Sequence, residues 1–220
     1  MEVISMHIPD GYLSPLTCII TYAAALPLWV IAFRKLKEQL DETTLPLIAS
    51  LSALSFIIMM FNIPIPGGTS GHAVGAGLIA ILFGPWVASL CISLVLFIQA
   101  LVFADGGVTT FGANALLMAF ASSFVTYYVF IGLKNKVFAP YVSGWAGTVA
   151  SSIVLSIFLG IQPIIASLNG QPLYFPFDFS LTFPAVVGSH ALFFGIVEGI
   201  FTGLAYAYII KNKIFTKASI

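Results

Sequence analysis

HAVGAGLIAILFG, residues 72–84, is as apolar as a membrane span and too short to be an ordinary one. At ~1.5 Å of rise per residue it covers only about 20 Å as a helix, against ~30 Å of hydrocarbon in a bilayer. Such a run must be tilted, buried among other helices or half-embedded, an irregularity tolerated only where protein or a cavity surrounds the backbone. Gly84-Pro85 closes it, because a proline disfavours helix in the residue before it. Whether it stands alone or merges with the run that follows sets the side of every later segment.

Apolar runs of spanning length flank it at roughly 16–33, 45–61, 85–103, 112–133, 143–168 and 184–210. With the short run they make seven. The eight cations then sort into three clusters: Arg34, Lys35 and Lys37 after span one, Lys134 and Lys136 after span five, and Lys211, Lys213 and Lys217 after span seven. Each cluster follows an odd-numbered span, so the excess of cytoplasmic cations places the N-terminus outside and the C-terminus in the cytoplasm. The segments 1–15, 62–71, 104–111 and 169–183 are external on this count and hold no Lys or Arg. Trp29, Trp86 and Trp145 fall near the cytoplasmic ends of spans, as an interfacial belt would. Merging 72–103 into one span would divide the cation clusters between both faces. The expected fold is therefore all-α: a polytopic, multi-pass protein of the cell membrane, with a single seven-helix domain over 6–210 and a cytoplasmic tail over 211–220.

Composition excludes most other classes. Of 220 residues 60% are hydrophobic and 7% charged, whereas a soluble domain carries about 25% charged residues. With no net charge and no basic face, the chain is neither a soluble globule, a disordered segment nor a nucleic-acid binder. Cys18 and Cys91 lie in apolar runs without CxxC spacing and are expected to be packing residues. Residues 1–12 lack the basic start and continuous apolar core of a secretory signal, so the membrane insert is expected to be the body of the protein.

Chemistry must then come from a handful of polar residues. The three histidines, His7, His72 and His190, all fall toward the outer side in this topology. His72 closes PIPGGTSGH, residues 64–72, where prolines stiffen the backbone and glycines allow close approach. His7 sits in MHIPDG, residues 6–11. With Met6 as first residue, a free amine, the His7 amide nitrogen and the His7 Nδ1 form fused five- and six-membered chelate rings. One more nitrogen, such as that of His72, closes a four-nitrogen plane. Tetragonal nitrogen sets suit Ni(II) or Cu(II), and imidazole suits the later first-row metals generally.

MHIPDGYLSP, PIPGGTSGH, FADGG with GAN shortly after, and GSHALFFGIVEG occur in that order from Met6 into span seven. Together they resemble the substrate-capture component of cobalt/nickel energy-coupling-factor transporters, the CbiM/NikM family. The resemblance implies seven helices, an external N-terminus and a square plane of nitrogens from Met6, His7 and His72. It also implies partners: a transmembrane coupling subunit, two ABC-type ATPases and, in cobalt systems, a small extra membrane subunit. No permanent cofactor is expected; Co(II) or Ni(II) is the cargo. Residues 1–5 depart from the pattern, since a retained leader would turn the Met6 amine into an amide. They are read as a mis-annotated or removable leader, with translation starting at Met6 as the simpler explanation.

The remaining polar groups are candidates for support. Asp10 either makes an Asp-Gly turn or orients His7. Asp105 is read as a cap or turn residue rather than a ligand, and Asn62 and Asn114 as hydrogen-bonding support or loop-end packing. His190 is assigned to packing or metal access before coordination. Glu198, the only carboxylate in the middle of a span, is expected to make a structural hydrogen bond inside the bundle, with transport coupling second. It lies within Gly195-xxx-Gly199-xxx-Gly203, a close-packing face. Ala49 and Ala53 make a second small-residue face, which in related capture components meets the coupling subunit.

The function expected is metal capture for ATP-driven uptake. The chain has no GxxxxGK[ST] motif, so hydrolysis belongs to separate subunits and the chain itself is not an enzyme. Cobalt for cobalamin synthesis is favoured over nickel, because fused extra spans of some nickel-type relatives do not follow span seven. A remote alternative is a rhomboid-like serine protease with Ser70 in Gly68-Thr69-Ser70-Gly71 as nucleophile and His190 as base. That scheme gives the Met-His start no role and lacks the rhomboid Trp-Arg motif, the one arginine being Arg34.

Overall fold

The structure is a computed structural model that describes residues 6–65 and 69–214. The leader 1–5, part of the 64–72 loop and the end of the tail lie outside the described residues. Within them, seven helices follow one another: α1 (Pro15–Gln39), α2 (Thr44–Met59), α3 (Ala76–Phe83), α4 (Pro85–Phe103), α5 (Phe111–Gly132), α6 (Ala139–Ile165) and α7 (Phe179–Lys211). All but α2 and α3 are long and apolar enough to cross a membrane. A short hairpin, β1 (Ile63–Ile65) with β2 (Thr69–Gly71), precedes α3, and a second, β3 (Ser167–Leu168) with β4 (Gln171–Pro172), follows α6.

The short run 72–84 resolves into two parts. Residues 72–75 are non-helical and only Ala76–Phe83 forms a helix, about 12 Å long. Gly75, in the left-handed region at φ 74, starts it, and Gly84, at φ 87, ends it before Pro85 opens α4. Of the three placements open to so short a run, burial is the one realised. Ala76, Ile79 and Ala80 are fully buried, and α2, α4, α5, α6 and α7 all pack on this helix. A helix apolar on every side belongs in the middle of a bundle. Its chain also leaves and returns to one end of the molecule, because His7 touches both His72 and Asp105. Residues 72–103 therefore do not form one continuous span.

Two further helix starts lie well before the expected residue. The helix expected from 143 begins at Ala139, since Pro140 stands in its first turn, where no backbone donor is lost. The helix expected from Pro184 begins at Phe179. Asp178 caps it by accepting the Leu181 N–H at 3.1 Å, and Pro184 lies inside at the cost of one backbone bond.

Packing is inverted relative to a water-soluble bundle. Large apolar side chains such as Ile19, Leu192 and Leu204 point outward, while Ser89, Ser123, Thr126, Ser151, Ser152 and Thr202 are fully buried. In lipid no hydrophobic force drives helices together, so close contact of small residues and hydrogen bonds hold the bundle. The expected Gly195-Gly199-Gly203 face is such a contact: a β-carbon on Gly199 would meet the Tyr141 carbonyl oxygen of α6 at 2.6 Å. Cys18 and Cys91 are free and buried.

Candidate metal site

The N-terminal segment folds back into the end of the bundle where its own helix begins. Met6 is fully buried, and His7, Ile8 and Leu13 are nearly so. Ile8 is the anchor. Its N–H donates to Asn114 Oδ1 at 2.9 Å, and its carbonyl accepts from Asn114 Nδ2 at 3.0 Å, the Thr110 hydroxyl at 2.6 Å and the Gly107 N–H at 3.0 Å. The Asn114 amide thus pairs with one residue's backbone as a neighbouring strand would. Further along, the Phe175 N–H donates to the Tyr12 carbonyl at 3.2 Å, and the Ser14 N–H donates to Gln162 Oε1 at 2.9 Å. The segment is held by α5, by the loop before it, by the end of α6 and by the loop before α7.

This anchoring sets His7 beside His72. The two rings meet edge to face, with centroids 4.8 Å apart and planes at 80°. His72 is 1% exposed; its Nδ1 donates to the Ala73 carbonyl at 3.0 Å, which leaves the lone pair on Nε2, and Nε2 has no hydrogen-bond partner among the described residues. His7 Nδ1 donates to Asp105 Oδ1 at 2.8 Å. Burial pushes the His72 imidazole down to about 3, helped by His7 beside it and opposed by the Ala73 hydrogen bond. Burial alone would raise the Asp105 carboxyl, but the hydrogen bond and charge interaction with His7 outweigh it and leave that group below its ordinary range. Among the described residues no three His, Cys, Asp or Glu side chains converge on one point. The two imidazoles meet at this end, with the Asp105 carboxylate on His7.

The other candidates divide. Asp105, one of the candidates for support and read as a cap or turn, pairs with His7. Asp10 does not reach His7: it accepts from the Val108 and Thr109 N–H groups and the Thr109 hydroxyl, tying the N-terminal segment to the 107–110 loop. Gly107 has no room for a β-carbon, which would strike Asp10. Asn62 is exposed past α2, with no hydrogen bond to the His7–His72 pair among the described residues. Ser70 is buried in β2, opposite Pro64. His190 Nδ1 donates to the Val186 carbonyl at 2.7 Å, its ring packs on Phe194, and no hydrogen bond links it to Ser70 among the described residues. Ala49 and Ala53 are exposed on the outer face of α2. Thr110 and Gln162 were missed by sequence reasoning; Gln162, a fully buried amide at the end of an apolar run, carried the signal.

Comparison with known proteins adds a second line. A family model described as "Cobalt uptake substrate-specific transmembrane region" matches residues 7–214. The fused nickel transport protein NikMN of Rhodobacter capsulatus is 43% identical over 217 residues, covering 94% of this chain and 62% of that protein, so the chain spans less than two thirds of it. A putative metal transport protein of Methanocaldococcus jannaschii is 43% identical over 212 residues, covering 94% of this chain and 93% of that protein. A crystal structure of a truncated transition metal transporter superposes with a TM-score of 0.88 at 44% identity, covering 94% of this chain and 99% of that one. With its long apolar helices, these likenesses make the chain a multi-pass membrane protein.

Proposed function

The chain belongs to the CbiM family of cobalt-uptake transmembrane regions, and on that premise we propose that it captures a divalent first-row metal ion, Ni(II) or Co(II), for ATP-driven uptake. The observation that carries this reading is the meeting of His7 and His72, ring centroids 4.8 Å apart, beneath a buried N-terminal segment. In the chain starting at Met6, the terminal amine, the His7 amide nitrogen and the His7 imidazole take three corners of a square, and His72 Nε2 takes the fourth. Chelation through His7 Nδ1 displaces the Asp105 carboxylate from that nitrogen, so Asp105 orients the ring until metal arrives. The N-terminus and the 104–110 loop face outside, the chain traverses the bundle seven times with the cation clusters inside, and the metal enters from the exterior. A coupling subunit, two ABC-type ATPases and, for cobalt, a small extra membrane subunit then drive its release inward.

Nickel is the better fit to a tetragonal nitrogen set, and a relative 43% identical is named for nickel. Cobalt for cobalamin synthesis is the second reading, favoured by the description of the matching family. Metal analysis of two purified chains, one starting at Met6 and one of 220 residues, tests the site. The shorter should hold one metal ion and the longer should bind far more weakly; equal stoichiometric binding would overturn the free-amine chelate. His72→Ala in the shorter chain should lose most of the affinity, and unchanged binding would remove His72 from the site.

A further inference from the structure

α7 runs beside the chain that carries His72 and touches it at successive turns. The Phe194 ring lies against Gly71, where a β-carbon would meet it at 2.7 Å. One turn on, Glu198 Oε2 accepts the Val74 N–H at 2.7 Å, and the Gly75 N–H is shared between Oε1 at 3.0 Å and Oε2 at 3.1 Å. A turn further, the Thr202 hydroxyl sits where a β-carbon on Gly77 would meet it at 3.0 Å. The carboxylate is 1% exposed. A buried carboxylate inside a membrane bundle is costly unless donors satisfy it, and here the donors are the backbone amides at the start of α3, an end that favours negative charge. Gly75, the residue that precedes α3, has no side chain to cap it. Glu198 supplies the cap from another helix. The clamped amides follow His72 by two and three residues, and the His72 ring is itself bound to the Ala73 carbonyl just before them.

We propose that Glu198 is a positioning residue for metal capture: its carboxylate clamps the Val74 and Gly75 amides and so holds the His72 imidazole at His7. The proposal rests on the capture reading and goes beyond it in assigning the residue that fixes the ligand's place. Glutamine at 198 keeps the shape but sets an amide donor against the Gly75 N–H and leaves one oxygen to accept from both amides, so the clamp weakens. Residues that orient a metal ligand from behind are worth about 10–100-fold in affinity.

The test titrates Ni(II) alone into whichever of the two chains compared above retains metal, with and without Glu198→Gln. The variant should bind at least about tenfold more weakly, and its visible absorption band at saturating Ni(II) should be shifted, because a displaced His72 changes the ligand field. A merely destabilised chain would give the wild-type band once saturated; that band, or wild-type affinity, overturns the proposal. Should the variant not fold, hydrogen exchange on the metal-free wild-type chain decides. The Val74 and Gly75 amides should be as protected as the interior of α6, and exchange as fast as at the exposed Asn169-Gly170 turn overturns the clamp. Absence of Ni(II) binding by the wild-type chain removes the capture reading, and the exchange measurement still judges the clamp by itself.

Discussion

A neutral imidazole is the form that binds a metal ion, and the surroundings of His72 keep it neutral. Burial is the main cause, with His7 adding to it. The sign for stability follows. In the unfolded chain the ring takes a proton near its ordinary 6.5; in the folded chain only near 3. The unfolded state therefore gains protons first on acidification, so the contribution of His72 to stability is complete above about pH 6.5 and is lost as pH falls toward 3. The thermal midpoint of the metal-free chain should drop between about pH 7 and 4, with a shallower slope in His72→Asn; equal slopes would contradict it. Asp105, lowered below its ordinary range, adds a further loss in more acid solution. Both histidines were legible in the sequence because each sits in an unusual local motif. The Asp105 bond was not, because nothing in local periodicity relates residues so far apart along the chain.

At the scale of the element, small residues decide how close two helices come. Gly199 lets α7 lie against the Tyr141 carbonyl of α6, and Glu198 beside it reaches α3 from that position. Gly188, on the same helix, faces open space: among the described residues nothing beyond its own stretch of helix lies within 4 Å of where its β-carbon would stand. Gly199→Leu should therefore push the helices apart and cost about 1–3 kcal/mol, as overpacking of a tight core does, whereas Gly188→Leu should be close to neutral. Thermal unfolding in detergent measures both, and equal midpoints would count against the packing described. The glycine spacing was visible beforehand, as was the separation of the short run 72–84 from the next at Gly84-Pro85; that its helix starts only after Gly75 was not. The partner of that glycine face was not, since a small-residue stripe has the same appearance whatever helix it meets.

At the scale of the whole molecule, the N-terminal segment, the 104–110 loop and the loop before α7 gather at one end, and among the described residues Arg34, Lys35, Lys37, Lys134, Lys136, Lys211 and Lys213 stand at the far ends of α1, α5 and α7. The positive-inside rule turns that division into an orientation. With Cys18 and Cys91 buried, single exposed cysteines can report it. Gln171→Cys should react with a membrane-impermeant maleimide in intact cells, and Glu42→Cys only after permeabilisation. The opposite pattern would invert the topology. Hydropathy and composition, read one residue at a time, determined by themselves that this is a multi-pass helical membrane protein and that residues 72–84 are an element apart. Tertiary structure alone decided that Asn114 binds the backbone of Ile8, 106 positions away, that Asp105 holds His7 and that Glu198 caps α3. The reason is physical: a hydrogen bond between distant residues depends on which helix faces lie together, and in a bilayer those faces are chosen by fit between small residues that the local pattern does not distinguish.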